Sequence, residues 1–195
     1  MLGDDFDAAL AGARAGEEWG FAALYREFAP AVLGFLRGRI PSDAEDVAST
    51  VWLDVARSLC RFEGDEPGFR AWLFTIVRRR LLNEFRRQRR VRAELHDPAT
   101  MPAAFASGDP ETIVLAEIGA ADAIALIGQV LPDLQANVVL LRVVAELPVP
   151  DIAELLGLTP GHVRVLSHRG LRTLAEHFSR PAVTRAAGSE ISELP

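Results

Sequence analysis

One stretch constrains the fold more than any other: FRAWLFTIVRRRLLNEFRRQRRVR, from Phe69 to Arg92. Its second half is dominated by arginine, and nothing in the stretch breaks a helix, so it predicts one helix of about six turns. The first half carries apolar residues at helical spacing, namely Phe69, Trp72, Leu73, Ile76, Val77 and Leu81.

The arginine half carries a stripe on one side of the predicted helix. Arg79, Asn83, Arg86 and Arg90 are separated by four, three and four positions, which places them on a common face. Each guanidinium can hold a phosphate through two hydrogen bonds, and an amide such as that of Asn83 can contact a base edge. The alternative is a solvated basic helix end that suits the helix dipole.

Charge is distributed unevenly along the 195 residues, whose formal net charge is −6. Residues 61–92 hold ten arginines against four acids, whereas residues 93–135 hold seven acids and no arginine. The positive potential is therefore concentrated in the predicted arginine helix, a pattern compatible with nucleic-acid binding despite the negative total.

Composition restricts the class of protein. Apolar residues make up 49% of the chain, enough for a hydrophobic core. The single cysteine, Cys60, permits no internal disulfide and no cysteine cluster for zinc. No apolar run approaches the length of a membrane span, and the acidic start MLGDDFDAAL does not resemble a signal peptide, so we expect a cytoplasmic protein without membrane insertion.

The predicted fold class is all-α, because no strand-like alternation of useful length occurs. Helices are predicted over 21–39 and about 43–60, the second opened by a capping box at Ser42–Glu45, and a loop follows at 61–68. We expect two small helical domains joined by a flexible linker, in this order: an acidic arm at 1–18, a first domain at 19–92, an acidic proline-containing linker at 93–110, a second domain at 111–178 and a short tail at 179–195.

Residues 148–178 have the pattern of a helix-turn-helix. A short amphipathic helix precedes the turn Gly157-Leu158-Thr159; Thr159 can cap the next helix and Pro160 can occupy its first position. An ordinary αα-hairpin would also suit the apolar spacing, but the outer face of the second helix is basic, which favours DNA binding. That face presents His162, Arg164, Val165, His168, Arg169 and Arg172.

Together these motifs resemble bacterial sigma factors of the extracytoplasmic-function (ECF) group in the sigma-70 family. Residues 19–92 are similar to the second domain of that family through FAALYREFAP, DAEDVASTVWLDV and FRAWLFTIVRRRLLNEFRRQRR. Residues 111–178 are similar to its fourth domain through LPDLQANVVLLR and DIAELLGLTPGHVRVLSHRGLRTL. The order and separation of these phrases make the resemblance specific.

The resemblance implies an alternative sigma factor that binds the RNA polymerase core, at the clamp of the largest subunit and at the flap, and directs it to promoter DNA. The acidic helix would dock on the core through Asp43, Glu45, Asp46, Thr50 and Asp54. The arginine helix would bind and help melt the −10 element through Arg78, Arg79, Arg80, Asn83, Arg86, Arg87 and Arg90, while the loop 61–68 captures a flipped base. The helix-turn-helix would read the −35 element through Thr159, Pro160, His162, Arg164, Val165, His168 and Arg169.

Three positions depart from the common family pattern, and all three are expected to face DNA. Arg79 stands where asparagine is frequent, Asn83 where aspartate is frequent and His162 where threonine is frequent, so the promoter sequence does not follow from the resemblance. The family also implies an anti-sigma partner, no cofactor and no catalytic activity.

Three other classes of protein fit the sequence less well. An all-helical adaptor would explain the apolar periodicity, but not the arginine stripe together with the second basic helix. A helix-turn-helix regulator that acts without polymerase would need a sensor domain, typically one with alternating strands, and none is visible. An enzyme could use Asp43, Glu45 and Asp46 as metal ligands, although acids are also favoured at a helix N-terminus for electrostatic reasons.

Overall fold

The computed structural model describes residues 2–95 and 119–179, and its regular structure in these ranges is helical throughout, which confirms the all-α prediction. Short 3₁₀ turns occupy Gly3–Asp5, Pro41–Asp43 and Leu59–Arg61. Within the described ranges, none of the helices is both long and apolar enough to cross a bilayer. The helices are α1 Phe6–Arg14, α2 Glu18–Arg37, α3 Ala44–Ser58, α4 Glu66–Leu95, α5 Ala120–Val130, α6 Asp133–Val143, α7 Val149–Leu156 and α8 Pro160–Ser179.

The predicted acidic arm contains a helix that packs onto the first domain. Phe6, Ala9 and Leu10 of α1 are buried, and their spacing of three and four places them on one face. The contact with α2 is close at Gly20, where a Cβ atom would stand 2.3 Å from the backbone nitrogen of Ala13. The acids of this segment are exposed to solvent, outside that apolar face. Because its apolar face is buried against α2, α1 is part of the first domain rather than a separate arm.

Helices α2, α3 and α4 bury the apolar faces that their spacing predicts, but α3 begins differently from the prediction. Ser42 lies inside the 3₁₀ turn that Pro41 starts, and its hydroxyl donates to Asp43 Oδ2 at 2.8 Å. Helix α3 then starts at Ala44 with no hydrogen bond from a capping side chain. The predicted capping box is therefore wrong, because the turn diverts the Ser42 side chain from the helix N-terminus.

The arginine helix α4 extends three residues beyond the predicted stretch at each end. Its N-terminus is capped by Asp65, whose Oδ1 accepts a hydrogen bond from the backbone N–H of Gly68 at 2.9 Å. The predicted linker at 93–110 and the start of the second domain at 111 fall mostly on residues 96–118, outside the described ranges, and the tail from residue 180 onward lies outside them as well.

Helices α5–α8 form the second domain, in which α6 and α8 lie close together. The two helices approach closely at Gly170 of α8, where a Cβ atom would stand 2.7 Å from Val139 Cγ2 of α6. Val163, Leu166 and Leu174 are buried on the same side of α8, as the apolar spacing predicts. This packing turns the remaining face of α8 toward solvent.

The two domains share an apolar interface. Buried residues of α2–α4 and of α6–α8 belong to one continuous hydrophobic cluster. Helix α5 crosses the C-terminal end of α2 so closely that a Cβ atom on Gly128 would stand 1.9 Å from the carbonyl oxygen of Gly38. Beside this crossing, Arg39 Nη2 donates to Asp133 Oδ1 at 2.8 Å. The described parts of the chain therefore pack as one body.

Candidate nucleic-acid interface

The second half of α4 carries an open basic cleft. Its volume is about 440 Å³, and Asn83, Arg86, Arg87, Arg90 and Val91 line it. Asn83 Oδ1 accepts a hydrogen bond from Arg86 Nη1 at 3.2 Å, and the asparagine and all three arginines are exposed. The spacing of the stripe is thus confirmed for three of its four members, which face one cleft able to hold phosphate and a base edge.

Arg80 and Arg87 of α4 each donate more than one hydrogen bond to carboxylates. Arg80 donates to both carboxylate oxygens of Asp54 on α3, with a distance of 2.6 Å from Nε to Oδ2. Arg87 donates to Glu84 at 2.7 Å and to Asp43 at 3.1 Å. These hydrogen bonds lower the pKa of Asp54 and raise the pKa of Arg80 and of Arg87.

Arg79 is both bound to a carboxylate and exposed to solvent. Its Nη2 donates to Asp54 Oδ2 at 2.9 Å, yet 63% of its side chain is exposed. Arg79 also lies one helical turn before Asn83 and therefore at the N-terminal end of the cleft stripe. Arg78 is half-buried. The predicted −10 residues therefore include both exposed side chains and side chains engaged in ion pairs between or along helices.

The loop before α4 turns its aromatic residue inward. Phe62 is buried, with its ring centroid 5.4 Å from that of Phe69 and 5.1 Å from that of Trp72. Trp72 is half-buried in this aromatic cluster, as its place on the apolar face predicts. The solvent-facing residues of the predicted loop 61–68 are Arg61, Glu63, Gly64, Asp65 and Pro67, the last of which lies in the first turn of α4.

The helix-turn-helix forms as the sequence predicts. Gly157 ends α7 with a φ of 69°, a left-handed conformation that glycine adopts without strain. Thr159 caps α8, since its Oγ1 accepts a hydrogen bond from the backbone N–H of His162 at 3.2 Å, and Pro160 begins the helix. The predicted −35 residues are all exposed: Thr159, Pro160, His162, Arg164, Val165, His168 and Arg169.

The five residues assigned to core binding do not share one face of α3. Asp43 and Asp54 face α4 through their arginine partners. Glu45 instead accepts hydrogen bonds from Arg37 of α2, at 3.0 Å from Nε and 2.7 Å from Nη2, and these lower its pKa. Asp46 is exposed, and the Thr50 hydroxyl donates to the Asp46 backbone carbonyl at 3.1 Å.

A wide apolar groove runs between α2 and α3. Its volume is about 1,210 Å³, and Ala120 and Ile124 of α5 also contribute to its lining. Tyr25 and Trp52 form its aromatic wall, with ring centroids 4.8 Å apart. Arg37 and Glu45, which form an ion pair, also line the groove. The sequence pattern did not single out Tyr25 or Arg37, because a residue that lines a groove has the same helical spacing as one that is buried.

The arrangement of the acids does not resemble a metal centre. In the described ranges, no three histidine, cysteine, aspartate or glutamate side chains are grouped so as to hold an ion. Two of the three acids considered as metal ligands, Asp43 and Glu45, bind arginine instead.

Comparisons with known proteins identify both domains. Residues 24–91 match the family Sigma-70 region 2, and residues 123–174 match the family Sigma-70, region 4. The first match includes α3 and most of α4, with the basic cleft, and the second includes the helix-turn-helix. The two elements that the residues indicate for nucleic-acid binding thus lie in two regions of one family.

Full-length relatives agree with this assignment. The chain is 34% identical to the RNA polymerase sigma factor CarQ of Myxococcus xanthus, over 84% of this chain and 91% of CarQ. It is 29% identical to the ECF RNA polymerase sigma factor SigD of Mycobacterium tuberculosis, over 91% and 86%. It is 30% identical to the ECF RNA polymerase sigma factor BldN of Streptomyces coelicolor over 84% of this chain, but it spans only 62% of BldN.

The fold is also similar to a solved structure. The structure of CnrH in complex with the cytosolic domain of CnrY matches with a TM-score of 0.58 and 22% identity, over 89% of this chain and 97% of CnrH. This likeness concerns the all-α architecture. The matches to both regions, to CarQ and to the ECF sigma factors SigD and BldN lead to one assignment: the chain belongs to the sigma-70 family, as a sigma factor of the extracytoplasmic-function group.

Proposed function

We propose that this sigma factor binds the RNA polymerase core and directs it to promoters through two DNA contacts, the α4 cleft at the −10 element and the exposed face of α8 at the −35 element. One observation carries the proposal: a chain of net charge −6 presents arginine on two exposed helix faces, one in each family region. Such concentration of positive charge attracts phosphate locally.

Each face supplies chemistry suited to its element. The α4 cleft combines the Asn83 amide with arginines, a set that can hold a strand backbone and contact an exposed base. Helix α8 projects Arg164 and Arg169 from an apolar base that packs on α6, which is how a recognition helix enters a major groove.

Core binding is assigned to the side of the first domain that carries the α2–α3 groove. Its apolar lining, with Tyr25, Trp52 and the Arg37–Glu45 pair, suits a helical partner with a polar edge. The exposed Asp46 adds negative charge on α3. In the cell we place the protein in the cytoplasm, where polymerase and promoters are, and we expect it to catalyse no reaction of its own. An anti-sigma factor is the expected regulatory partner, on the family resemblance.

The experiment is reconstitution with bacterial core polymerase and a duplex DNA pool that is randomised over both promoter elements. We expect the holoenzyme to enrich two-part sites, and the free chain to bind duplex DNA weakly, because acids flank its arginine helix. Tight specific binding by the free chain, with no contribution from core, would instead support a helix-turn-helix regulator.

Footprinting of the enriched site separates the two DNA contacts. In holoenzyme carrying Asn83→Ala, we expect upstream protection to persist while the permanganate reactivity of unpaired bases near −10 is lost. Asp7→Asn, at an exposed position of α1 outside both predicted DNA-binding sets, is the control and should retain both. Lost upstream protection with normal melting in Asn83→Ala would reverse the assignment of the two domains.

A further inference from the structure

Asp54 pairs with three arginines of the first domain. It belongs to α3, only 8% of its surface is exposed, and its carboxylate accepts hydrogen bonds from two consecutive arginines of α4. A third arginine, Arg57, places Nη1 at 4.0 Å from Oδ1. A carboxylate enclosed in this way is directed at α4 and is poorly placed to meet a protein that docks on α3.

The two α4 arginines are held to different degrees. Arg80 uses Nε and Nη2 on the two oxygens of Asp54, and only 30% of its side chain is exposed, so the edge that would grip a phosphate is already occupied. Arg79 uses Nη2 alone, and its side chain is 63% exposed. A guanidinium has five N–H donors, so Arg79 keeps donors for a further partner while one end is fixed.

The fixed end determines where Arg79 points. Asp54 holds its Nη2, and Asn83, which lines the cleft, lies four residues further along the same helix. Arginine loses considerable rotamer freedom when it binds a ligand, so holding it in advance reduces that loss and favours one geometry of contact.

We propose that Asp54 is a positioning residue for recognition of the −10 strand: it orients Arg79 beside Asn83 and offsets part of the α4 charge, so that sequence rather than charge alone selects the strand. This inference rests on the proposed function. It assigns Asp54 a task different from the core-binding role that the family resemblance implies.

The proposal predicts two effects of opposite sign. Loss of the Asp54 charge leaves Arg79 and Arg80 uncompensated, so binding to any single strand strengthens and becomes more salt-dependent. Loss of the fixed contact frees Arg79, so discrimination among −10 sequences weakens. A merely structural residue would change neither once folding is matched, and a core-binding residue would change the affinity for polymerase.

The test compares wild type with Asp54→Asn, after circular dichroism has established equal helicity. The full chain is titrated with an unrelated single-stranded oligonucleotide at several salt concentrations. Holoenzyme is used for selection from the randomised duplex pool, and the affinity of each sigma variant for polymerase core is measured separately. The control is Asp7→Asn, which removes one acid from an exposed position of α1.

For Asp54→Asn we expect the affinity for the oligonucleotide to rise about two- to fivefold, and its salt dependence to steepen by up to about 0.7 in log–log slope. Discrimination among bases at one or two −10 positions should fall roughly tenfold. The affinity of the variant for polymerase core should stay within about twofold of wild type. Asp7→Asn should leave the discrimination unchanged. In an Arg79→Gln background, Asp54→Asn should produce no further loss of discrimination, because Asp54 acts through Arg79.

Three results would overturn the proposal. If folded Asp54→Asn holoenzyme discriminates among −10 sequences as wild type does, the positioning role is refuted and the proposed function is not. A large loss of affinity for core has the same consequence. Failure of wild-type holoenzyme to enrich any two-part site refutes the proposed function and this inference with it. If Asp54→Asn does not fold, the double variant Asp54→Asn with Arg80→Gln replaces the ion pair by two amides, and the same readouts and outcomes apply.

Discussion

At the scale of single residues, the arginines of α4 differ in how far carboxylates bind them. Asp54 holds Arg80, and Glu84 together with Asp43 holds Arg87, whereas Arg86 and Arg90 are exposed on the cleft. Glu84 and Asp54 are both buried, so the carboxylate of each ion pair is shielded from solvent. A run of arginines that reads as uniform in sequence therefore contains members that hold α4 in place and members that face the solvent.

The Asp54–Arg80 pair should make stability depend on pH. Pairing with arginine lowers the pKa of folded Asp54 below its unfolded value of about 3.9, so its contribution is complete above that pH and is lost as pH falls through the lower, folded pKa. We expect Asp54→Asn to reduce the unfolding free energy by roughly 2 kcal/mol at pH 7.

Urea titrations of wild type and Asp54→Asn between pH 7 and pH 2.5 test this dependence. The difference in unfolding free energy should shrink toward zero as pH falls below about 4. Asp7→Asn, at an exposed position, is the control and should differ little from wild type. A difference for Asp54→Asn that is the same at both ends of the range would mean that its charge does not stabilise the fold.

Arg169 and Arg172 offer a matched pair on α8. Both are exposed, but Arg169 belongs to the predicted −35 set while Arg172 Nε lies 3.4 Å from Glu176 of the same helix. Arg169→Ala should weaken binding of holoenzyme to the upstream element by roughly 1–3 kcal/mol if it contacts a base edge. Arg172→Ala should weaken this binding less. If competition titrations show equal losses of binding free energy for the two variants, both arginines contact phosphate alone.

At the scale of whole helices, the faces of α3 have separate partners. One side of the helix binds the arginines of α4, another contributes to the apolar groove with α2, and Asp46 is exposed. An acidic helix that seems to present one binding surface in sequence therefore divides its acids between internal ion pairs and the exterior.

Charge reversal distinguishes these roles of α3. Asp46→Arg should lower the affinity for polymerase core about tenfold while the helical content is unchanged, because the side chain is exposed. Asp7→Arg, the same change on α1, should have little effect on that affinity. A fluorescence titration with core measures both variants, and an unchanged affinity for Asp46→Arg would remove Asp46 from the binding surface.

At the scale of the whole molecule, the two domains are joined by more than their apolar contact. The Arg70 side chain is buried, with its guanidinium 5.1 Å from the centroid of the Phe28 ring. From α4 it reaches the second domain, where Nη1 donates to the carbonyl of Ala145 at 3.3 Å and lies 3.4 Å from Glu146 Oε2. Glu146 has a φ of 54°, an uncommon value for a residue other than glycine, at this contact.

This packed arrangement bears on promoter binding. The centres of a −35 and a −10 element are about 25 base pairs apart, or roughly 85 Å at 3.4 Å per base pair, whereas a packed protein of this size is about 40 Å across. We therefore expect the domains to separate when the chain binds both elements with polymerase.

The glycine crossing allows a test of what holds the two domains together in the free chain. Gly128→Ala should push α5 away from α2, because its Cβ atom would stand 1.9 Å from the Gly38 carbonyl oxygen. Small-angle scattering of the free chain should show a larger radius of gyration with unchanged helicity. Gly161→Ala, whose Cβ atom would meet nothing within 4 Å, is the control. An unchanged radius for Gly128→Ala would mean that the interface tolerates or does not need this contact.

The sequence by itself determined the all-α class, the arginine helix and the helix-turn-helix, because these follow from local properties. Apolar spacing selects the buried face of a helix, and a turn such as Gly157 to Pro160 depends on neighbours in the chain. Only the tertiary structure decided that Asp54 faces Arg80, that α1 packs on the first domain and that Gly128 meets Gly38. Such contacts depend on how one helix is placed against another, and helical spacing carries no information about that placement.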